Sequence, residues 1–362
     1  MGSSISTLLR AQARAAAVLG ATLDVPGTSL LARRRKNPLT HDEVLAGVPV
    51  TVVRPNGPPP WPTLLFMNGA TPDGRAHPMV LRLSAALART GRRVFIPDLP
   101  GIAGGELSPA TLAAASTFAE AAADLNETAQ ERVALAGVSI GASLALLTAA
   151  DRKVADRVSA VAGVAPYSDL AKVMLLATTG TYRDQGKVVP YSVPPYLVVG
   201  LARSLAAMLP PTPATAALCN ELRSLDPALA TARDFREDAF RDAGAAAVTL
   251  FDLLSNRDAA RFDDLYTALP AQIQSTAKDL SPLHVASKLQ APVELATAPR
   301  DRYFPVAESR ALVAASSYIR LTVTSLLAHA TPRLSPRYLA ELGQLNGFFV
   351  RALAAAGYAA RR

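Results

Sequence analysis

The chain has 362 residues, 50% hydrophobic and 18% charged, a balance that suits a globular protein with a large core. Its formal charge of +8 would attract anions, yet the arginines are scattered and the one dense run, Arg33-Arg34-Arg35-Lys36, stands alone, so no nucleic-acid partner is expected. The single cysteine, Cys219, excludes an intrachain disulfide and a thiolate metal cluster, and Ala217-Leu218-Cys219-Asn220 carries no motif for a cysteine nucleophile.

At the N-terminus, Met1-Gly2-Ser3-Ser4-Ile5-Ser6 formally fits a myristoylation pattern, as many short leaders do. Residues 15–23 are apolar but too few to span a bilayer, which takes about 20. An amphipathic helix packed on the protein is expected, within a helical lead segment over 1–47 that also holds His41 in polar surroundings. No segment reads as an integral membrane span, and a cytoplasmic protein is expected.

Residues 48–163 alternate short apolar runs with longer helical ones. Strands are expected at 50–53, 63–67, 94–97, 133–138 and 158–164, each bounded by turn residues such as Asn68-Gly69 or Asp98-Leu99-Pro100-Gly101. Helices are expected at 78–90, after the Ser108-Pro109 cap, and at 142–150. Strands alternating with helices imply a parallel sheet covered on both faces, with ligands beyond the carboxyl ends of the strands. From 171 to 279 the strand-like runs nearly vanish, helical stretches such as 197–209 and 233–254 dominate, and prolines punctuate the chain. This stretch is read as an inserted helical cap or lid. The strand pattern resumes at 292–296 and 319–324, and a last helix covers 336–355. The core is therefore expected at 48–170 and 280–362, around the cap at 171–279.

The candidate motifs fall at strand ends. Gly137-Val138-Ser139-Ile140-Gly141 follows the strand 133–138 and opens a helix, the context in which a serine is pushed out on a sharp turn. The flanking glycines let chain segments pass closely, and the helix N-terminus favours developing negative charge. A serine hydroxyl needs a base. Four histidines are available, His41, His77, His284 and His329; only His329 follows the last strand, where a loop can project it over the carboxyl edge. Asp301, in Ala298-Pro299-Arg300-Asp301-Arg302-Tyr303-Phe304-Pro305, directly follows the preceding strand and is the favoured acid to orient the imidazole; Asp169 in Pro166-Tyr167-Ser168-Asp169 is the rival. An oxyanion would be met by the amide of Ile140 and one from Asn68-Gly69-Ala70-Thr71, with Ala70 favoured over Thr71. No cofactor or metal is called for, since no His/Asp spacing suggests a metal site.

These residues resemble the α/β-hydrolase superfamily. The resemblance is carried by Phe66-Met67-Asn68-Gly69-Ala70, Asp98-Leu99-Pro100-Gly101, the Ser139 pentapeptide, Asp301-Arg302-Tyr303-Phe304-Pro305 and His329, in the family's order, over residues 48–170 and 280–355. It implies an α/β-hydrolase fold with a mostly parallel central sheet flanked by helices, and a triad of Ser139, Asp301 and His329 with Ala70 and Ile140 as oxyanion donors. Asn68 departs from the histidine that many members carry before the glycine. The 281–305 stretch looks like the serine carboxylesterase or dienelactone-hydrolase-like branches. A serine in the elbow implies an acyl-enzyme, with a small-molecule carboxylic ester as the simplest substrate, and a cap rich in Leu, Val and Ala, with Tyr182, Tyr191 and Tyr196 near its prolines, points to an apolar pocket; the sequence leaves the oligomeric state open. Transfer to an alcohol or thiol acceptor, as in acyltransferases and thioesterases, and a non-catalytic binding protein on the same fold are the competing expectations.

Overall fold

The computed structural model describes residues 2–22, 37–125, 132–226, 229–329, 331–332 and 340–356. After an edge strand β1 (Leu39–Leu45), the apolar runs become β2 (Val48–Arg54), β3 (Thr63–Met67), β4 (Arg93–Pro97), β5 (Val133–Val138) and β6 (Val158–Val164). A hairpin of β7 (Thr181–Asp184) and β8 (Lys187–Pro190) follows, then β9 (Val293–Thr297) and β10 (Ile319–Val323). Apart from the hairpin, these strands form one eight-stranded sheet ordered β1-β2-β4-β3-β5-β6-β9-β10. The β1–β2 and β2–β4 pairs are antiparallel; from β4 onward every neighbour is parallel.

Helices α1 (Gly2–Thr22), α2 (Pro78–Arg89), α3 (Pro109–Asp124), α4 (Ile140–Ala150) and α5 (Leu170–Thr179) lie in the first half of the chain. Between the hairpin and β9 run α6 (Tyr196–Ala206), α7 (Pro213–Ser224), α8 (Glu237–Asp242), α9 (Ala245–Ser255), α10 (Phe262–Ala268) and α11 (Ala271–Asp279). Helices α12 (Val306–Ala315) and α13 (Leu342–Ala355) follow β9 and β10 respectively. Ser108 caps α3 as its sequence suggests, its hydroxyl accepting from the Thr111 amide at 3.2 Å with Pro109 in the first turn.

Because side chains alternate along a strand, each strand supplies both layers. Leu64, Phe66, Val94, Ile96, Ala134 and Ala136 face α1, α2 and α13, whereas Leu65, Met67, Phe95 and Leu135 face α3, α4 and the helices that follow β6. Each fully buried Leu or Phe contributes about 1.5–3 kcal/mol. Helix α1 docks on the first layer through Ala15 and Val18, as the apolar stretch near the N-terminus suggests. The basic residues 33–36 and Met1 lie outside the described residues. Among the described residues, no helix is long and apolar enough to cross a membrane.

Three local differences from the sequence reading have physical causes. His41 lies in an edge strand, β1, rather than in a helical lead; both faces of β1 are largely solvated, so it shows no apolar alternation, and only its backbone pairing with β2 makes it a strand. The β7–β8 hairpin turns at Gln185 (φ 48°) and Gly186 (φ 78°), a primed turn that a Gln-Gly pair can adopt. The helical stretch 233–254 breaks at Gly244 (φ 100°), where α8 ends and α9 begins.

Candidate active site

Ser139 sits where β5 turns into α4, with φ 56° and ψ −128°, a backbone region that costs a non-glycine residue about 1–3 kcal/mol. The turn is held by neighbours: the Ser139 amide donates to the Val164 carbonyl at 2.8 Å, and its carbonyl accepts from Ala142 at 2.9 Å. A Cβ on Gly137 would come within 2.3 Å of the Gly141 carbonyl oxygen, and one on Gly141 within 2.3 Å of the Met67 oxygen. Both glycines are therefore compelled by close backbone approach. Gly141→Ala is expected to lose more than about 3 kcal/mol of stability or fail to fold, because the obstacles are backbone atoms that no rotamer can move. Urea unfolding of the variant measures this, and an unchanged midpoint would mean that the turn can open without loss.

His329 follows the two-residue strand β11 (Leu327–Ala328) and itself takes a left-handed backbone, φ 59°. Its Nδ1 lies 2.8 and 3.1 Å from the two carboxylate oxygens of Asp301, whose side chain is fully buried. Asp301 Oδ1 also accepts from the amides of Tyr303 (2.8 Å) and Phe304 (3.1 Å). An acceptor-only carboxylate beside Nδ1 places the proton there and leaves Nε2 with a free lone pair. The Tyr303 ring packs 4.2 Å from the imidazole, Tyr196 and Tyr303 share a hydroxyl hydrogen bond, and the Tyr191 hydroxyl donates to the Asp301 carbonyl. Burial raises the Tyr191 and Tyr196 phenols well above the ordinary tyrosine range, so both stay protonated.

Ser139 and His329 line one cavity of about 450 Å³. Among the described residues no hydrogen bond joins the serine hydroxyl to the imidazole. Gly69, Ala70 and Ile140 line the same cavity, and among the described residues neither the Ala70 nor the Ile140 amide donates to a protein acceptor. The 68–71 loop presses on the serine turn: a Cβ on Gly69 would lie 3.1 Å from the Val138 oxygen. Asn68 is buried and its amide donates to the Gly69 carbonyl at 3.1 Å, bracing the loop internally.

The other candidates are elsewhere engaged. Asp169 accepts from the Ala171 amide at 2.9 Å as the N-cap of α5, and its nearest imidazole is His284 at 3.8 Å. His77 lines the cavity, but its Nδ1 caps α2 by accepting from Met79 at 3.3 Å. His41 is exposed beside Glu43.

Sequence reading missed Glu308, on the helix that follows the Asp301 turn. It is buried, and its Oε2 accepts from the Ser168 amide (2.8 Å), the Ser168 hydroxyl (2.6 Å) and the Asp169 amide (3.2 Å), tying α12 to the end of β6. No motif flags it, since a lone glutamate in a helical pattern reads as surface. Burial lifts its carboxyl above the ordinary glutamate value of 4.5, outweighing the Ser168 hydrogen bonds and the Lys172 charge. The unfolded chain then ionises at lower pH than the fold, so this group's contribution is complete below that ordinary value and is lost as pH rises through the folded one. Glu308→Gln keeps an acceptor for the three donors and does not ionise. Its urea midpoint is expected to decline less than the wild type's between about pH 4.5 and 7; parallel declines would exclude Glu308 as the group responsible.

The family model described as the alpha/beta hydrolase fold matches residues 62–186. No curated protein matches the sequence. Among solved structures, the dipeptidyl peptidase 4 of Porphyromonas gingivalis is 14% identical with a TM-score of 0.50, the match covering 90% of this chain and 37% of that one. An acylaminoacyl peptidase bound to a chloromethyl ketone is 13% identical with a TM-score of 0.50, covering 88% of this chain and 41% of that one. Est1E from Butyrivibrio proteoclasticus is 14% identical with a TM-score of 0.47, covering 88% of this chain and 100% of that one. The chain thus spans about two-fifths of the length of the two peptidases. With its parallel sheet and strand order, this chain is an α/β-hydrolase-fold protein.

Proposed function

We propose that the protein is a serine hydrolase that cleaves carboxylic esters through an acyl-enzyme. In this reading Ser139 attacks the ester carbonyl while His329 Nε2 takes the hydroxyl proton and passes it to the departing alcohol. Water then attacks the acyl-serine, with His329 again removing the proton, and the acid leaves. Asp301 holds the tautomer and offsets the imidazolium charge, and the Ala70 and Ile140 amides receive the oxyanion. The helices of 171–279 act as the cap, their Val173, Leu197 and Leu201 side chains forming one wall of the cavity.

The observation that carries the proposal is that His329, held from behind by Asp301, lines the same cavity as a serine in a strained strand-to-helix turn. Among the described residues that line this cavity there is no Asp, Glu, Lys or Arg. An uncharged, apolar wall favours an ester with hydrocarbon substituents over a peptide, whose terminal charge or amides would need polar partners. A fluorophosphonate probe followed by peptide mass spectrometry tests the reading. The adduct is expected on Ser139, together with turnover of a short aryl ester; a protein that neither labels nor turns over would overturn it.

A further inference from the structure

Resting on the ester-hydrolase reading, we infer that the substrate carries a second, uncharged oxygen acceptor, an ether or carbonyl about two to four bonds from the scissile carbonyl, received by the hydroxyl pair of Tyr196 and Tyr303. The pair joins the cap to the acid turn: Tyr196 is the first residue of α6, and Tyr303 closely follows Asp301. Both line the large cavity together with Ser139 and His329. Two hydroxyls hold two protons, and the bond between them uses one. Among the described residues neither oxygen has a further hydrogen-bond partner, so one proton is left to donate.

Other hydroxyls that line the cavity are spent on the protein. Tyr167 donates to the Leu280 carbonyl at 2.7 Å, Ser204 to Gly200 at 3.0 Å and Thr22 to Val18 at 2.8 Å. Thr71 and His77 also line the cavity, but beside the exposed Ala70, Pro72 and Asp73, where water can serve them. The tyrosine pair is half-buried between α6 and the turn after β9. A carboxylate or phosphate would find no counter-charge, because no Lys or Arg is among the described residues lining the cavity. Arg302, whose charge acts on Tyr196, is exposed and is not part of that lining. An ether or carbonyl accepts the spare proton without a counter-charge. A methylene in the same place strands the donor, and the site discriminates against it.

The distance to the chemistry follows from Tyr303. Its ring centre is 4.2 Å from that of the imidazole, and its amide is held by Asp301 Oδ1 at 2.8 Å. A ring radius and a C–O bond add about 2.8 Å, so the hydroxyl lies within about 7 Å of the imidazole centre. The hydrogen bond to the acceptor spans about 2.8 Å of that. Roughly 4 Å remain, which a chain advancing about 1.25 Å per bond covers in at most about four bonds.

Esters scanned with oxygen test the inference. In one series, p-nitrophenyl hexanoate is compared with analogues in which an ether oxygen replaces the third, fourth or fifth carbon of the acyl chain. In the other, hexyl acetate is compared with 2-propoxyethyl acetate. Each kcat/KM is divided by the rate of hydroxide hydrolysis, which removes the inductive effect of the oxygen. At one position the corrected value is expected to exceed that of the hydrocarbon parent by at least about tenfold, and its series names the end that bears the acceptor. Tyr196→Phe/Tyr303→Phe keeps both rings and removes both hydroxyls, and the ratio should fall to within about twofold of unity. A damaged fold would lower both esters and leave their ratio standing. By isothermal calorimetry, the preferred ester should bind Ser139→Ala about tenfold tighter than its parent, and the two Phe substitutions should erase the difference. Ratios near unity at every position in the wild type, or a ratio unchanged in the double variant, would overturn the inference. No turnover of any ester, alongside tighter binding of an oxygen-bearing one, would sink the hydrolase reading and leave the acceptor site standing.

Discussion

Ser139→Ala is expected to cut kcat/KM for p-nitrophenyl butyrate by about 10⁴- to 10⁶-fold and to abolish fluorophosphonate labelling. The size follows from the loss of the proposed nucleophile, which would make water the direct attacker and leave the proposed oxyanion amides and binding as the remaining aids. Loss of fold is a poor alternative explanation for this substitution. Among the described residues the serine hydroxyl has no hydrogen-bond partner, so its removal strands nothing. The strained backbone at φ 56° is the same burden for alanine as for serine. The thermal midpoint should therefore change by no more than about 1 kcal/mol of equivalent stability, and glycine at the same position should be no less stable than alanine. Activity retained within tenfold in Ser139→Ala would mean that another residue carries the acyl group.

The strand-to-helix turn was legible because its requirements are local. Close backbone packing compels Gly137 and Gly141, and the run 133–138 is apolar throughout, so five residues and their flanks announce the geometry. The contact between Asp301 and His329 was legible through chain order, since each follows the end of one of the last two sheet strands and these strands are adjacent and parallel. What stayed hidden depends on tertiary context. β1 is a strand only by virtue of its partner, for its own side chains face water on both sides. Glu308 looks like any helical glutamate until the fold buries it against Ser168. The alanines of β5 and β6 blend into a chain rich in alanine, and only the register sets Ala134 beside Ala160 and Ala136 beside Ala162. Asp169, the rival acid, was separable from Asp301 only in space, where it caps α5 instead.

That separation can be read out. Asp301→Asn is expected to lower kcat by about 10⁴-fold, whereas Asp169→Asn should alter it by less than about threefold. In the wild type, Oδ1 of Asp301 already accepts from the Tyr303 and Phe304 amides, at 2.8 and 3.1 Å. An asparagine would keep its carbonyl oxygen in that place and turn its NH₂ group toward His329 Nδ1. The imidazole would then accept through Nδ1 and carry its proton on Nε2, the atom that takes the Ser139 proton in the proposed mechanism. The geometry survives while the base is lost, so the defect should fall on kcat more than on KM. Labelling by fluorophosphonate should slow in parallel, because it too needs the serine deprotonated. Asp169→Asn retains a good N-cap oxygen for the Ala171 amide, and Asp169→Ala should lose about 1 kcal/mol of stability with kcat little changed. If Asp169→Asn proved the more damaging to turnover, the imidazole would be oriented from the end of β6 in the working enzyme, and the 2.8 Å contact of His329 with Asp301 would belong to a resting arrangement only.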